Sequence, residues 1–253
     1  MIIKKIKILK NKVKITFDNS SILELDKETY TNFYLYEGKD VSKIEYKSIK
    51  ELNDTSKLLQ YALKIRSKAV YSEYSMREKL YNKEANKGQV DKIIKILKSY
   101  DLIDDKAYAL DLLEYYNSLH YGENKIRNKL LEKGIFQKEI DKLSFPISKE
   151  RSKAKALLPK LEMKYSKYND SQKKSHIYNA YISLGFNGDV ASEMVGLVKS
   201  SSSKDELDKL RKDYLKAKTR LERKYKGKEL KQKILSSLAQ KGYKYNDILK
   251  VMN

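Results

Sequence analysis

The chain has 253 residues, and its 55 Lys and Arg against 34 Asp and Glu give a formal net charge of +21. This excess favours a polyanionic partner, nucleic acid first, although a lysine-rich proteome would also place lysines on solvated faces that have no function. The absence of cysteine excludes disulfides and thiolate metal sites, and the low content of Gly and Pro favours long helices with few sharp turns.

Residues 1–50 differ in pattern from the rest of the chain. Residues 13–17 alternate between apolar and polar types, and a turn cluster separates them from a second short run at 22–25. This pattern predicts a β-hairpin, to which residues 6–8 could add a further strand. A short helical pattern follows. We interpret residues 1–50 as a small α+β module that docks against or caps the helices behind it.

Targeting signals are not evident in the sequence. Lysines interrupt residues 1–14 too often for the continuous apolar stretch of a secretion signal. No apolar run approaches the length of a membrane span. We therefore expect a soluble, cytoplasmic protein.

From residue 51 onward, the apolar residues recur at helical spacing, and the same group of three short helices appears four times. The predicted repeats are residues 51–103, 104–148, 149–204 and 205–253. A glycine ends the middle helix of the last three repeats, at Gly134, Gly185 and Gly242, and Glu84 stands at the matching place in the first. Because glycine enters the left-handed conformation without steric cost, Gly134 is predicted to adopt it.

These elements predict a mainly α fold. Each three-helix repeat is too small to bury its apolar faces alone, so the repeats should stack on their neighbours. We expect the tandem repeats to form an elongated, curved array, with the N-terminal α+β module at one end.

A family resemblance is carried by motifs in the first two repeats, taken in their order and spacing. In the first repeat the motifs are Ala62-Leu63, Ser75-Met76-Arg77-Glu78-Lys79-Leu80 and Leu102-Ile103. In the second they are Asp104-Asp105 with Tyr108-Ala109, Gly122, Ile126-Arg127-Asn128-Lys129-Leu130 and Lys133-Gly134-Ile135. The array resembles the RecX regulatory proteins, bacterial modulators of the recombinase RecA, in the long form that carries an N-terminal extension. It departs from the family pattern at Glu84, at Asn117 and at Ser175-His176-Ile177.

The resemblance implies a non-enzymatic regulator that lies along the RecA filament on DNA. It would inhibit RecA ATP hydrolysis, filament growth and strand exchange, and so modulate recombination, DNA repair and the SOS response. The implied partners are the RecA filament and single-stranded DNA, with double-stranded DNA as a further candidate, and the chain would act as a monomer without a cofactor. The alternative is a stand-alone nucleic-acid-binding protein, such as a helix-turn-helix regulator, and a nuclease is a more distant third.

Basic residues are the candidate contacts with DNA or the filament. The densest group, which we name the C-terminal basic run, surrounds Tyr225, whose ring could stack on a base. It comprises Arg220, Arg223, Lys224, Tyr225, Lys226, Lys228, Lys231 and Lys233. Further candidates at helix starts are Arg66, Lys68, Arg77 and Lys79 in the first repeat and Lys125, Arg127 and Lys129 in the second. A solvated helical surface remains the alternative for the run, and a pair with Glu123 one helical turn earlier remains the alternative for Arg127.

Other chemistry finds little support in the sequence. Asp104 and Asp105 open a helix, where carboxylates act far more often as caps than as metal ligands, although they could also face basic loops of a filament. His120 and His176 are isolated in the sequence, and no phosphate-binding GxxxxGK[ST] loop occurs. Most tyrosines lie on apolar stripes or their margins, which favours a packing role over a nucleophilic one.

Overall fold

The computed structural model describes residues 1–252, which form a mainly helical fold with a small N-terminal sheet. The strands are β1 (Ile3–Ile8), β2 (Val13–Phe17) and β3 (Ile22–Leu25). The helices of the N-terminal module and first repeat are α1 (Lys27–Asn32), α2 (Lys43–Arg66), α3 (Glu73–Tyr81) and α4 (Lys87–Ser99). The later helices are α5 (Asp105–Ser118), α6 (Glu123–Glu132), α7 (Gln137–Ile140), α8 (Ile147–Lys164), α9 (Asp170–Ser183), α10 (Gly188–Gly196), α11 (Ser203–Leu221), α12 (Gly227–Gln240) and α13 (Tyr245–Met252). The predicted fold class, mainly α with an N-terminal β-hairpin module, is confirmed.

The three strands form one antiparallel sheet in the order β1-β2-β3. Alternate residues of each strand lie on its buried face, among them Ile15, Phe17 and Leu25. They pack in one core with Ile49 of α2. Asn53 of α2 fastens the sheet to this helix, since its amide accepts from the Asp26 N–H at 2.9 Å and donates to the Glu24 carbonyl at 3.0 Å. The module therefore depends on α2 for its core.

Helix α2 serves two cores, because no glycine or proline interrupts Lys43–Arg66. Its first half packs in the core of the sheet, and Ala62 in its second half belongs to the core of the first repeat with Met76, Leu80 and Ile94. The predicted boundary at residue 50 lies within this single helix. The chain divides into two compact units by the distances between its Cα atoms. The first unit comprises residues 1–110 and 131–140, and the second comprises residues 111–130 and the chain from residue 141 on.

The middle helices of the repeats end in the same way. Gly134, Gly185 and Gly242 have φ of +77°, +84° and +87°, and Glu84 reaches +60° at the matching place. The following N–H then reaches back over the helix end: Ala85 donates to the Leu80 carbonyl at 3.3 Å, and the equivalent bonds from Phe186 and Tyr243 measure 3.1 and 3.4 Å. The left-handed conformation predicted for Gly134 is confirmed. Glu84 adopts it despite the steric cost that a side chain brings.

The middle helices of the four repeats are α3, α6, α9 and α12. The start of each of the first three is hydrogen-bonded to the end of the middle helix in the following repeat. Ser72 Oγ, which precedes α3, donates to the Lys133 carbonyl at 2.7 Å. The Gly122 N–H, which precedes α6, donates to the Leu184 carbonyl at 2.8 Å, and Asn169 Nδ2, which precedes α9, donates to the Lys241 carbonyl at 2.9 Å. Each acceptor immediately precedes a left-handed glycine. The bond therefore satisfies a carbonyl that its own helix leaves without a partner.

A carboxylate from the following repeat completes each of these junctions by accepting the first N–H of the middle helix. Asp105 accepts from the Glu73 N–H at 2.8 Å. Glu150 accepts from the Glu123 N–H at 3.4 Å, and Glu206 accepts from the Asp170 N–H at 2.5 Å. The negative charge lies at the positive end of the helix dipole, where it stabilises the helix.

The junction between α6 and α9 has no room for side chains. A Cβ on Gly122 would lie 2.3 Å from the Gly185 carbonyl, and a Cβ on Gly185 would lie 2.3 Å from the Lys125 amide nitrogen. Both contacts are with backbone, which cannot yield as the tip of a side chain can. The two glycines therefore allow the helices to approach each other.

We predict that Gly122→Ala lowers the free energy of unfolding by about 2 kcal/mol. A methyl group added to a site that is already fully packed destabilises a protein by about this amount. Gly196→Ala is the matched control, since its Cβ would meet nothing within 4 Å at the end of α10. That control should be neutral or slightly stabilising. Urea denaturation of both variants measures the difference, and equal stabilities would contradict the close approach.

Candidate nucleic-acid interface

The C-terminal basic run lies at the end of α11, in the turn that follows and at the start of α12. Every lysine and arginine of the run is exposed. Among residues 1–252 none of them forms a salt bridge, and Arg220 donates instead to Ser237 Oγ at 3.2 Å. In the described part of the chain, the positive charges of this surface are therefore not held in ion pairs.

Tyr225 is the one aromatic residue of the run, and it is only half-buried. The ammonium group of Lys233 lies 5.4 Å from the centroid of its ring. This is a cation–π contact within the run. A base could stack on this ring only where the Lys233 side chain leaves it accessible.

The start of α12 differs from the starts of α3, α6 and α9. Within residues 1–252 no carboxylate accepts the first N–H of this helix, and Lys226 caps it without a side-chain hydrogen bond. The first amides of a helix carry partial positive charge and favour anions. This effect adds to the charge of the lysines around it.

The predicted basic residues of the first repeat fall into two groups. Arg66 and Arg77 are held inside the repeat: Arg66 donates to the Leu102 carbonyl at 2.6 Å, and Arg77 binds Glu73 at 2.8 Å and Asp91 at 2.5 Å. Lys68 and Lys79 are exposed. Only the two lysines present their charge freely to a partner.

The second repeat places an arginine in the same arrangement, fifty positions along the chain. Arg127 binds Glu123 at 2.7 Å and Asp141 at 3.2 Å, as Arg77 binds Glu73 and Asp91, and its guanidinium also lies 4.7 Å from the Phe145 ring centroid. The pair with Glu123, proposed above as the alternative for Arg127, is present. Lys125 lies over the Tyr121 ring at 4.2 Å. Lys129 is half-buried.

The two acidic residues at the start of α5 both serve the helical framework. Asp104 caps α5, since its carboxylate accepts from the Lys106 and Ala107 N–H groups at 2.9 and 3.0 Å. Asp105 instead faces the Glu73 N–H, and burial raises the pKa of its carboxyl group. The interpretation as a cap of α5 is confirmed for Asp104, whereas the Asp105 carboxylate serves the start of α3.

Two charged residues at the start of the third repeat were not identified from the sequence. Glu150 is buried, and its Oε1 accepts from the N–H groups of Glu123 and Asn187. Lys153 donates to the Asn117 side chain at 2.7 Å and to the Tyr121 carbonyl at 2.6 Å, and burial lowers the pKa of its ammonium group. The contact explains why asparagine suits position 117, since a basic residue there would lie against the ammonium group of Lys153.

A comparison of the repeats could have identified Glu150 from the sequence. Glu150 is the fourth residue of α8, and Glu206 is likewise the fourth residue of α11.

Several of the remaining polar aromatic residues also have structural partners. Tyr181 is fully buried, donates to the Ala154 carbonyl at 2.8 Å and has a pKa raised to about 12 by burial. His176 lies against the rings of Tyr165 and Tyr168, with centroid distances of 5.2 and 4.3 Å.

No helix within residues 1–252 has the length and apolarity that crossing a membrane demands.

The chain is similar over nearly all its length to curated proteins named Regulatory protein RecX. The protein of that name from Listeria welshimeri is 29% identical, over 94% of this chain and 90% of its own. The relatives from Lactococcus lactis and Streptococcus uberis are 28% and 26% identical, cover 97% and 100% of this chain, and are themselves covered to 94% and 99%. No protein-family model matches the chain.

Crystal structures of RecX proteins share the fold. One aligns with a TM-score of 0.62 over 78% of this chain and 99% of its own, at 24% identity. A second, RecX from Lactobacillus salivarius, aligns with a TM-score of 0.54 over 58% of this chain and 99% of its own, also at 24% identity. With the curated relatives, these structures confirm the resemblance that the sequence motifs indicated.

The ion pairs of Arg77 predict that this residue stabilises the fold, whereas the exposed Lys79 on the same helix does not. Burial disfavours the Glu73 carboxylate, but hydrogen bonds from Lys98 and Arg77 outweigh this effect and lower its pKa below the usual 4.5. A lowered pKa contributes stability above the unfolded value, and that stability is lost as the pH falls. We therefore expect Arg77→Gln to lower the free energy of unfolding by about 1 kcal/mol at pH 7, and by progressively less below pH 4.5.

Lys79→Gln is the matched control, because Lys79 lies on the same helix and is exposed. Its free energy of unfolding should equal that of the unmodified chain at every pH. Urea denaturation between pH 3 and 7 measures both variants. A penalty for Arg77→Gln that does not depend on pH would argue against the ion pair with Glu73.

Proposed function

We propose that this chain, which is similar to RecX regulatory proteins over nearly its whole length, binds the RecA filament on DNA. There it inhibits RecA ATP hydrolysis, filament growth and strand exchange, and so modulates recombination and DNA repair in the cytoplasm. The observation that carries the proposal is the similarity itself, which covers 90% or more of both this chain and its curated relatives.

The charge of the C-terminal repeat supports a target that contains DNA. Within residues 1–252 the exposed lysines and arginines around Tyr225 form no ion pair, so a phosphate backbone can neutralise them without breaking one. Such contacts release the counterions of the DNA, which makes the affinity depend on salt. A filament that presents DNA together with protein would also engage several repeats at once, and weak contacts that engage together add up.

We propose a non-enzymatic mode of action. The curated relatives are named as regulatory proteins, and the charged groups at the repeat junctions are occupied by helix ends. Inhibition would then follow from occupancy of the filament, and a single copy of the chain, with its own tandem repeats, would supply the contacts.

Titration of this chain into RecA that hydrolyses ATP on single-stranded DNA tests the function. We expect inhibition well below one copy per RecA, at a salt concentration where the chain barely binds bare DNA. DNA binding by the chain alone, recorded under the same conditions, is the control. Inhibition that appears only once the chain coats the DNA would replace the proposal with a general competition for the polyanion.

Charge reversal in the C-terminal basic run tests the role of this surface. Lys226→Glu, Lys228→Glu and Lys231→Glu together should weaken DNA binding. They should also reduce the slope of log affinity against log salt by about 2 on single-stranded DNA, because each lost phosphate contact lowers it by about 0.7.

The matched control reverses the same number of exposed lysines on α11, at Lys204, Lys212 and Lys216. Its net charge equals that of the test variant, so long-range attraction is reduced equally in both. Fluorescence anisotropy of a labelled oligonucleotide measures affinity and slope. If both variants lose the same slope, the C-terminal run is not a preferred contact.

A further inference from the structure

The N-terminal sheet has an outer face, opposite its core, that is rich in lysine. The strand register places Lys5 beside Thr16 and Lys7 beside Lys14. It also places Lys14 beside Glu24 and Thr16 beside Ile22. We name this surface, with Lys5, Lys7, Lys14, Thr16, Ile22 and Glu24, the outer sheet face. Its positive side chains, Lys5 and Lys7 of β1 and Lys14 of β2, therefore form a compact patch across two neighbouring strands.

This positive charge is not balanced within the module. Residues 1–17 contain no Asp or Glu, and Lys7 directly faces Lys14, a pairing of like charges that destabilises a sheet. The nearby carboxylate of Glu24 is already bound by Lys12 at 2.6 Å. That hydrogen bond, with the nearby charges of Lys14 and Lys57, lowers the pKa of Glu24. An anion on this face would relieve the repulsion.

Two tyrosines lie on a loop beside the edge strand of the same sheet. Tyr34 is 83% exposed and Tyr36 is 62% exposed, in contrast to the fully buried Tyr181. The loop is fixed to β1 by hydrogen bonds, since the Gly38 N–H donates to the Ile3 carbonyl at 2.8 Å. The Glu37 carboxylate accepts from the Ile6 N–H at 2.8 Å, so this acidic side chain is held at the strand edge.

We propose that the outer sheet face and the loop of Tyr34 and Tyr36 form a second surface, which binds single-stranded nucleic acid. Lysines on the strands contact phosphates, and the exposed rings provide stacking surfaces for bases, the combination by which proteins hold single strands without sequence preference. A duplex keeps its bases stacked inside, so the exposed rings favour a single strand. The inference extends the proposed function in assuming a nucleic-acid target, but it does not require RecA.

Removal of the lysines tests the electrostatic half of the proposal in the full chain. Lys5→Gln, Lys7→Gln and Lys14→Gln together should weaken binding to fluorescein-labelled oligo(dT) and reduce its salt slope by about 2. The matched control is Lys27→Gln, Lys43→Gln and Lys47→Gln, which removes the same charge from exposed helical positions of the module. The control should keep the slope of the unmodified chain. Equal slopes for the two variants would overturn the proposal.

Substitution of the tyrosines tests the stacking half. Tyr36→Ala should reduce affinity for oligo(dT) by about tenfold, because loss of one stacked base has an effect of this size. Tyr36→Phe keeps the ring and should bind as the unmodified chain does. Urea denaturation of each variant checks that the module stays folded. If alanine and phenylalanine bind equally well, the ring is not a stacking surface and the proposal fails.

Two further measurements separate this inference from its rivals. If the lysine variant loses binding to phosphatidylglycerol vesicles but keeps its affinity for oligo(dT), the patch serves an anionic membrane and the proposal is overturned. Normal oligo(dT) binding by the sheet variants, with a loss confined to the C-terminal variant, would overturn it while leaving the proposed function intact. Conversely, lost oligo(dT) binding in the sheet variants would support it even if the unmodified chain failed to inhibit RecA.

Discussion

The structure depends on how the repeats share the unsatisfied groups at their helix ends. A helix begins with amides and ends with carbonyls that have no partner within it. At three junctions a donor at the start of one helix binds such a carbonyl at the end of another. The donors are the Ser72 hydroxyl, the Gly122 N–H and the Asn169 side-chain amide, and the acceptors are the carbonyls of Lys133, Leu184 and Lys241. The left-handed residue after each acceptor turns the chain so that the carbonyl can be reached. Each of these bonds joins two neighbouring repeats, whereas lysines border the start of α12 in the fourth repeat.

The sequence was informative wherever a feature depends on neighbouring residues. Gly134 could be assigned a left-handed conformation because the end of a helical stripe requires one there, and the alternation of residues 13–17 was enough to predict a strand. The pair of Arg127 with Glu123 was visible as an alternative because the two residues are one helical turn apart. Local chemistry of this kind does not depend on how distant segments pack.

The remaining features depend on contacts between segments far apart in the sequence. Arg77 looked as available to DNA as Lys79, and only the packed repeat shows that Asp91 and Glu73 hold it. Similarly, Asp105 looked like a second cap for its own helix, whereas its carboxylate serves the start of α3. The lysines of β1 and β2 were not among the predicted contacts, because a positive patch appears only once the strand register places Lys7 opposite Lys14.

The continuity of α2 has a consequence for how the N-terminal module behaves. One uninterrupted helix contributes Ile49 to the core of the sheet and Ala62 to the core of the first repeat. Unfolding either core would fray a helix on which the other relies, so the two should melt as one cooperative unit. The helix also contains no glycine or proline at which it could hinge. A force applied to the sheet would therefore be transmitted along α2 to the first repeat without bending the helix at a hinge.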